Sequence, residues 1–206
     1  MTDDELAVAL DALARGAPVA AATETFFGLL VDPTKPRALD ALFALKGRDA
    51  EKGVALLVPG KAAWRSLVDE IPELAETLAD HFWPGPLTIA LAARPDLDPR
   101  LTVGGTVAAR SPGPSDAARI VAAFGAPLTA TSANRAGAPA AVTGDEVAAA
   151  FPDELAAGAL VLVPGVAPGG EPSTLVAVTG GRIDIVRSGR IRESDLLPLV
   201  PSSPLR

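Results

Sequence analysis

An α/β fold with a twisted mixed sheet flanked by helices is what this sequence predicts, and three observations carry the prediction. In the first two thirds of the chain, short apolar runs of strand length alternate with amphipathic segments of helical period. The later apolar runs, Leu160–Val163, Thr174–Val178 and Ile183–Val186, follow one another in hairpin-like fashion. Finally, 206 residues with 49% hydrophobic content are enough for one sizeable core. We read a single domain over residues 1–197, followed by a frayed proline-rich tail over 198–206.

The elements follow in order. Thr2-Asp3-Asp4-Glu5 has the form of a capping box, and Leu6, Leu10 and Leu13 continue at helical spacing to Gly16. Pro18–Ala22 reads as a buried strand that leaves into a polar loop, Thr23-Glu24-Thr25. Thr34 is the expected cap of a second helix, with Pro36 in its first turn and Leu39, Leu42, Phe43 and Leu45 on its apolar face up to Lys46. Val54–Val58 reads as a strand, and Lys61–Val68 and Ile71–His81 as helices. Two prolines and a glycine in Trp83-Pro84-Gly85-Pro86 then stop the chain before the strand Leu87–Ala92, a rigid corner with Trp83 packed inward. Arg94–Gly105 is a loop, Thr106–Arg110 a strand, Ser115–Phe124 a helix and Ala126–Thr131 a strand rising into Ser132-Ala133-Asn134. Thr143 and Glu146 form a second capping box, and Gly165–Gly170 reads as a hairpin loop.

Composition excludes several kinds of chemistry. With 18 Lys plus Arg against 25 Asp plus Glu, the net charge of −7 repels nucleic acid and anionic membranes, so a polyanionic ligand must meet a local cluster of cations. There is no cysteine, which removes disulfides, thiolate metal sites and cysteine nucleophiles and fits a reducing cytoplasm. The single histidine, His81, suits a helix C-terminus better than a base for Ser132. Asp32, Asp49 and Glu51 lack metal-ligand spacing, so we expect no metal site, and Mg2+ would arrive with a nucleotide. An acidic N-terminus and the absence of a long apolar run predict a cytoplasmic protein without membrane contact.

Polar groups recur at the ends of the predicted strands: Thr25, Arg110, Ser132 with Asn134, and Arg187. Lys46-Gly47-Arg48 ends the second helix, where its cations suit the helix dipole and are equally suited to phosphate. If the strand-end loops share a crevice, Lys46, Arg48, Arg110 and Arg187 form a basic cleft fit for a nucleoside triphosphate, and Ser132 and Asn134 fix its orientation. Neither G-x-x-x-x-G-K-[ST] nor a post-strand G-x-G-x-x-G is present.

Seven strings in order, T-E-T-F-F-G-L (23–29), K-G-R-D-A-E-K-G (46–53), W-P-G-P-L-T (83–88), T-V-A-A-R (106–110), T-S-A-N-R-A-G (131–137), P-S-T (172–174) and V-R-S-G (186–189), resemble the YrdC-like threonylcarbamoyl-AMP synthases in their short, single-domain form. The resemblance spans roughly Ala12 to Ile191. It implies a YrdC-like sheet with a large basic cleft, and formation of L-threonylcarbamoyladenylate and pyrophosphate from L-threonine, bicarbonate and ATP. That adenylate feeds the downstream tRNA threonylcarbamoyl transferase machinery, which modifies adenosine 37; direct tRNA binding is expected to be weak.

By resemblance, Lys46, Arg48, Ser132 and Asn134 line the nucleotide and reaction site, Thr106 and Arg187 contact ATP, and Thr25, Arg110 and Ser173 hold threonine. Lys46→Ala and Arg48→Ala are then expected to remove activity and spare folding. The chain departs from the usual pattern at Phe27, Asp49, Ser111-Pro112-Gly113-Pro114 and Arg135-Ala136. Two alternatives stay open at this point: a YrdC-fold RNA- or nucleotide-binding protein without the activity, and a paralogue using a different amine.

Overall fold

The computed structural model describes residues 1–47 and 53–200; Arg48, Asp49 and Glu51 lie outside the described residues. Helix α1 (Asp3–Ala14) has the capping box expected, with the Thr2 hydroxyl accepting from the Glu5 N–H and Glu5 answering to the Thr2 N–H. Strands β1 (Val19–Ala22) and β2 (Phe27–Leu30) form a hairpin around Thr23-Glu24-Thr25. Its turn is built by Thr23, whose hydroxyl accepts from the N–H groups of Thr25 and Phe26 and donates to Phe26 O at 2.8 Å. Strand β2 was not anticipated from sequence, because four residues after a threonine-rich turn are too few to show a period.

Helix α2 (Pro36–Lys46) has Lys35 and not Thr34 at its N-cap position, without a side-chain cap, and the Thr34 hydroxyl instead donates to Asp32 Oδ1 at 2.7 Å. It stops at Gly47, which adopts the left-handed conformation (φ 56°, ψ 39°) that a residue without Cβ accepts at no steric cost. Strand β3 (Ala55–Leu57), helices α3 (Lys61–Arg65) and α4 (Glu73–Phe82) and strand β4 (Leu87–Ala92) follow. Between α4 and β4 the Trp83–Pro84 peptide is cis, Trp83 Nε1 donates to Leu87 O at 2.6 Å, and its ring meets that of Trp64 edge-on at 4.7 Å. The corner and its inward tryptophan are as expected.

The loop after β4 contains the two-residue strand β5 (Thr102–Val103), paired with β6 (Thr106–Arg110). Helix α5 (Asp116–Phe124), strand β7 (Leu128–Ser132), helices α6 (Gly144–Ala150) and α7 (Pro152–Ala156), strands β8 (Val161–Leu162), β9 (Thr174–Thr179) and β10 (Arg182–Arg187), and the short helix α8 (Glu193–Leu196) complete the chain. Among the described residues these strands form one mixed sheet in the order β10-β9-β4-β6-β3-β7-β2-β1-β8, with β5 added to β6. Because β8 lies at one edge and β9 near the other, Gly165–Gly170 is part of a crossover and not a hairpin loop. On its way it covers the Thr23 turn, with the Gly169 N–H donating to Thr25 O at 2.8 Å.

The two faces of the sheet are covered unequally. One carries the larger core, where Leu56, Ile89, Val107, Ala109 and Val176 meet Leu39 and Leu42 of α2, Trp64 of α3 and Leu78 of α4. The other is covered by α1 and α5 only over part of its width, where Leu13, Ile120 and Val121 meet Val19, Ala21, Leu30, Leu57 and Leu128. The remainder of that face stays open. No helix among the described residues is long and apolar enough to cross a membrane.

Candidate active site

The open part of the second sheet face is the floor of a cavity of about 800 Å³. Side chains on one face of a strand recur every second residue, and the floor follows that rule with small residues. Ala90 of β4, Ala108 of β6, Ala130 of β7 and Ala177 of β9 line it, together with Gly28 of β2 and Ala55 of β3. The register puts Ala90 opposite Ala108, Ala55 opposite Ala130 and Gly28 opposite Ser132, so these positions share one face. The intervening residues, such as Leu56, Ile89, Ala109 and Val176, are fully buried on the other. Larger side chains on the floor would fill the space.

The residues singled out by sequence are distributed around this floor. Thr25, Thr106, Arg110, Ser132, Ser173 and Arg187 all line the cavity. The arrangement is not the expected strand-end crevice, however. Strand β6 is parallel to β3 and β3 is antiparallel to β7, so the C-terminal ends of β6 and β7 point opposite ways. Arg110 and Ser132 therefore stand at opposite ends of the floor, a distance a large ligand would bridge.

At the Arg110 end the site is cationic and tightly packed. Arg110 is 6% exposed, and its Nη1 donates to Glu24 Oε1. Burial, with Arg187 close enough to repel it, pushes the Arg110 pKa down to about 10, still a cation at neutral pH. Partial desolvation of the guanidinium likewise lowers that of Arg187, although the residue as a whole is exposed. Arg187 follows a register shift in β10 at Ile185/Arg187, a device that re-aims a side chain near the end of a strand. Its Nη2 donates to Ser173 O and to Ser173 Oγ, both at 2.9 Å, and Ser173 Oγ is 2.9 Å from Thr88 Oγ1. The P-S-T and V-R-S-G strings thus fold into one unit. Gly189 permits it, since a Cβ there would stand 2.2 Å from Pro172 O and 2.7 Å from the Ser173 carbonyl carbon. Thr25 and Thr23 share a hydroxyl contact at 3.0 Å; Thr106, at the opposite end of β6 from Arg110 and on the level of Ser132, donates its hydroxyl to Val103 O at 2.8 Å.

At the Ser132 end the chemistry is different. Lys46 is 5% exposed, and its ammonium donates to Ser132 O and Asn134 O, each at 2.7 Å, and to Asn134 Oδ1 at 2.9 Å. The Ser132 hydroxyl also donates to Asn134 Oδ1, while Asn134 Nδ2 donates to Arg135 O and Ala138 O. The Ala136 N–H returns to Lys46 O at 2.8 Å. Of this knot Ser132 faces the cavity, whereas Lys46 and Asn134 stand behind the wall and fix the turn. Lys46 is therefore both the cation at a helix end and a bonded part of the turn, and where the sequence leads one to expect that Lys46→Ala spares folding, these bonds lead one to expect a cost in stability as well. Arg48, its predicted companion, lies outside the described residues.

Sequence reasoning missed two features. The alanines of the floor were readable in T-V-A-A-R and in the alternation Leu128-Thr-Ala-Thr-Ser132, but no face could be assigned without the strand order. Glu24, the partner of Arg110, was treated as loop. Among the described residues no group of three or more His, Cys, Asp and Glu side chains gathers to hold a metal ion.

A sheet face with a floor of small residues, a buried and an exposed arginine at one end and a lysine-locked hydroxyl turn at the other has the chemistry of a binding site for a large anionic ligand. The chain belongs to the Sua5/YciO/YrdC family, whose model, described as telomere recombination, matches residues 11–189. A threonylcarbamoyl-AMP synthase of Vibrio cholerae is 40% identical over 157 residues, covering 74% of this chain and 83% of the relative. One of Chromohalobacter salexigens is 36% identical over 185 residues, covering 87% and 96%. The structure of Pyrococcus abyssi Sua5 complexed with L-threonine superposes with a TM-score of 0.88 at 28% identity over 98% of this chain, which spans 58% of that longer one. The YrdC-like fold expected from the sequence motifs is the fold observed.

Proposed function

We propose that the chain is an L-threonylcarbamoyladenylate synthase, a nucleotidyltransferase that acts ahead of the threonylcarbamoyl modification of tRNA. The reading rests above all on the cavity, which joins a carboxylate-binding end at Arg110 to a hydroxyl turn at Ser132 over a floor with room for an amino acid and a nucleotide. Relatives named threonylcarbamoyl-AMP synthase, at 34–40% identity, agree with it. They disfavour a binding protein without the activity.

In the mechanism we infer, the α-carboxylate of L-threonine lies on the guanidinium of Arg110, and Thr25 and Ser173 border the same end. Arg110 has five N–H donors and its described hydrogen bond uses one, so its fork retains capacity for a bidentate carboxylate. The neutral amine attacks the carbon of bicarbonate, giving the carbamate anion and water. A carbamate oxygen then attacks the α-phosphorus of ATP, and the bond to the β,γ-unit breaks to release pyrophosphate. The threonine carboxylate, bicarbonate, the carbamate formed from them and ATP all bring negative charge into one cavity, and cations fixed in advance lower their mutual repulsion without rearrangement. Thr106 and Ser132 are assigned to the nucleotide at their end of the floor, and Arg187, which stands beside Ser173 at the Arg110 end, is assigned to the nucleotide by its place in the V-R-S-G string. Lys46 and Asn134 act there through the turn they hold, and Arg48 is assigned to the phosphates by its place in the K-G-R string. Mg2+ is taken to enter on the triphosphate. The adenylate is labile and passes to the transferase machinery, in the cytoplasm on this reading, without a strong tRNA contact of its own.

The test is a pyrophosphate-release assay with each substrate omitted in turn. Release that needs L-threonine, bicarbonate and ATP together is expected; release with ATP alone, or none, would overturn the reading. Serine or glycine in place of threonine separates this enzyme from a paralogue with another amine substrate.

A further inference from the structure

Glu24 lies in a turn and was given no role by the sequence motifs, yet its surroundings are unlike those of a loop carboxylate. Its side chain is 12% exposed, and Oε1 accepts from Arg110 Nη1. Its other oxygen, Oε2, is buried with no hydrogen-bond partner among the described residues. The stem is packed against the S-P-G-P turn: a Cβ on Gly113 would stand 3.2 Å from Glu24 Cγ and 3.4 Å from Glu24 Cβ. The chain around it is held on both sides, by the Thr23 hydroxyl accepting from the N–H of Thr25 at 3.1 Å and by the Thr25 carbonyl accepting from Gly169 at 2.8 Å. Glu24 also lines a second cleft of about 720 Å³, beside Pro114, Ser115 and Arg190, whereas Arg110 lines the cavity. The ion pair therefore spans the partition between the two.

We propose that Glu24 is a positioning residue: it fixes the Arg110 guanidinium in the cavity wall so that the remainder of its fork faces the substrate carboxylate. Charge and geometry both favour this role, whose substrate side rests on the threonine reading above. Buried Arg110 and the more exposed Arg187 lie close enough to repel, and neither is anchored to the other's partner: Arg187 is tied to Ser173, Arg110 to Glu24. A buried cation that loses its anion is strongly destabilised and must move or be hydrated. Without Glu24, repulsion from Arg187 acts on Arg110 unopposed, and the guanidinium leaves the orientation that matches a bidentate carboxylate. Among the described residues Oε2 has no competing partner, so there the pull of Glu24 is directed at Arg110.

Two measurements test this, one of them without substrate. In nitrogen-15 spectra of the arginine side chains, the Arg110 signals, assigned by Arg110→Lys, are expected to show slowed rotation of the guanidinium in the wild type and averaged rotation in Glu24→Gln. In steady-state kinetics, Glu24→Gln is expected to raise the KM for L-threonine about tenfold to a hundredfold with the KM for ATP within about twofold. Glu24→Asp is expected to restore part of the loss, and Arg110→Ala added to Glu24→Gln to cost much less than Arg110→Ala alone. Unchanged guanidinium signals in Glu24→Gln would overturn the proposal, as would equal rises in both KM values, which would mark Glu24 as merely structural. Loss of threonine-dependent turnover in the wild type would instead sink the functional reading, and the guanidinium signals decide the positioning in either case.

Discussion

The two ends of the cavity both carry cations, and they use them in opposite ways. At the Ser132 end the Lys46 ammonium points into the protein and is surrounded by Ser132 O, Asn134 O and Asn134 Oδ1. At the Arg110 end two guanidinium groups line the cavity, each held by one neighbour, Glu24 or Ser173. The difference follows from the side chains. An ammonium is a compact charge whose three donors can be filled by a single tight turn, and it then acts as a rivet. A planar guanidinium with five donors can be anchored through one edge and still offer another. Lysine builds one wall and arginine presents the other.

Substitutions at the two ends should therefore fail in different ways. Lys46→Ala removes a buried charge from acceptors that include Ser132 O, Asn134 O and Asn134 Oδ1 and should cost about 3 kcal/mol or more of stability, together with activity; chemical denaturation reads the first and pyrophosphate release the second. A folded but inactive Lys46→Ala protein of wild-type stability would make Lys46 a ligand contact after all. Gly189→Ala should cost about 2–3 kcal/mol, because its Cβ meets the backbone of the P-S-T turn, and its threonine KM should rise as Ser173 shifts. Arg187→Ala should leave stability within about 1–2 kcal/mol of wild type and raise the KM for ATP about tenfold, since its three bonds go only to Ser173. Thr106→Val should have the smallest effect, about 1 kcal/mol in stability from the lost bond to Val103 O and a few-fold change in the KM for ATP.

How much of this was legible in the sequence depends on whether the information is local. The capping boxes at Thr2 and Thr143, the stop at Gly47 and the tryptophan corner are set by residues within a few positions of one another, and all are present as expected. Strand β2 was hidden because the Thr23 turn consumes the residues that would have shown its period. The crossover over Gly165–Gly170 was misread because hairpin and crossover glycines look alike until strand order is known. The site residues were legible as types, and six of them do share one cavity. Their orientation was not, since the direction of β6 relative to β7 decides that Arg110 and Ser132 face each other across the floor. Lys46 illustrates the limit: whether its ammonium meets ligand or protein depends on Asn134, 88 positions away.

The contrast between rivet and ligand contact is tested most directly by titrating L-threonine into the wild type and into Arg110→Ala by calorimetry, with folding of the variant confirmed by circular dichroism. Measurable binding is expected in the wild type, with a loss of about a hundredfold in Arg110→Ala. A folded Arg110→Ala protein that binds threonine as tightly as the wild type would contradict it.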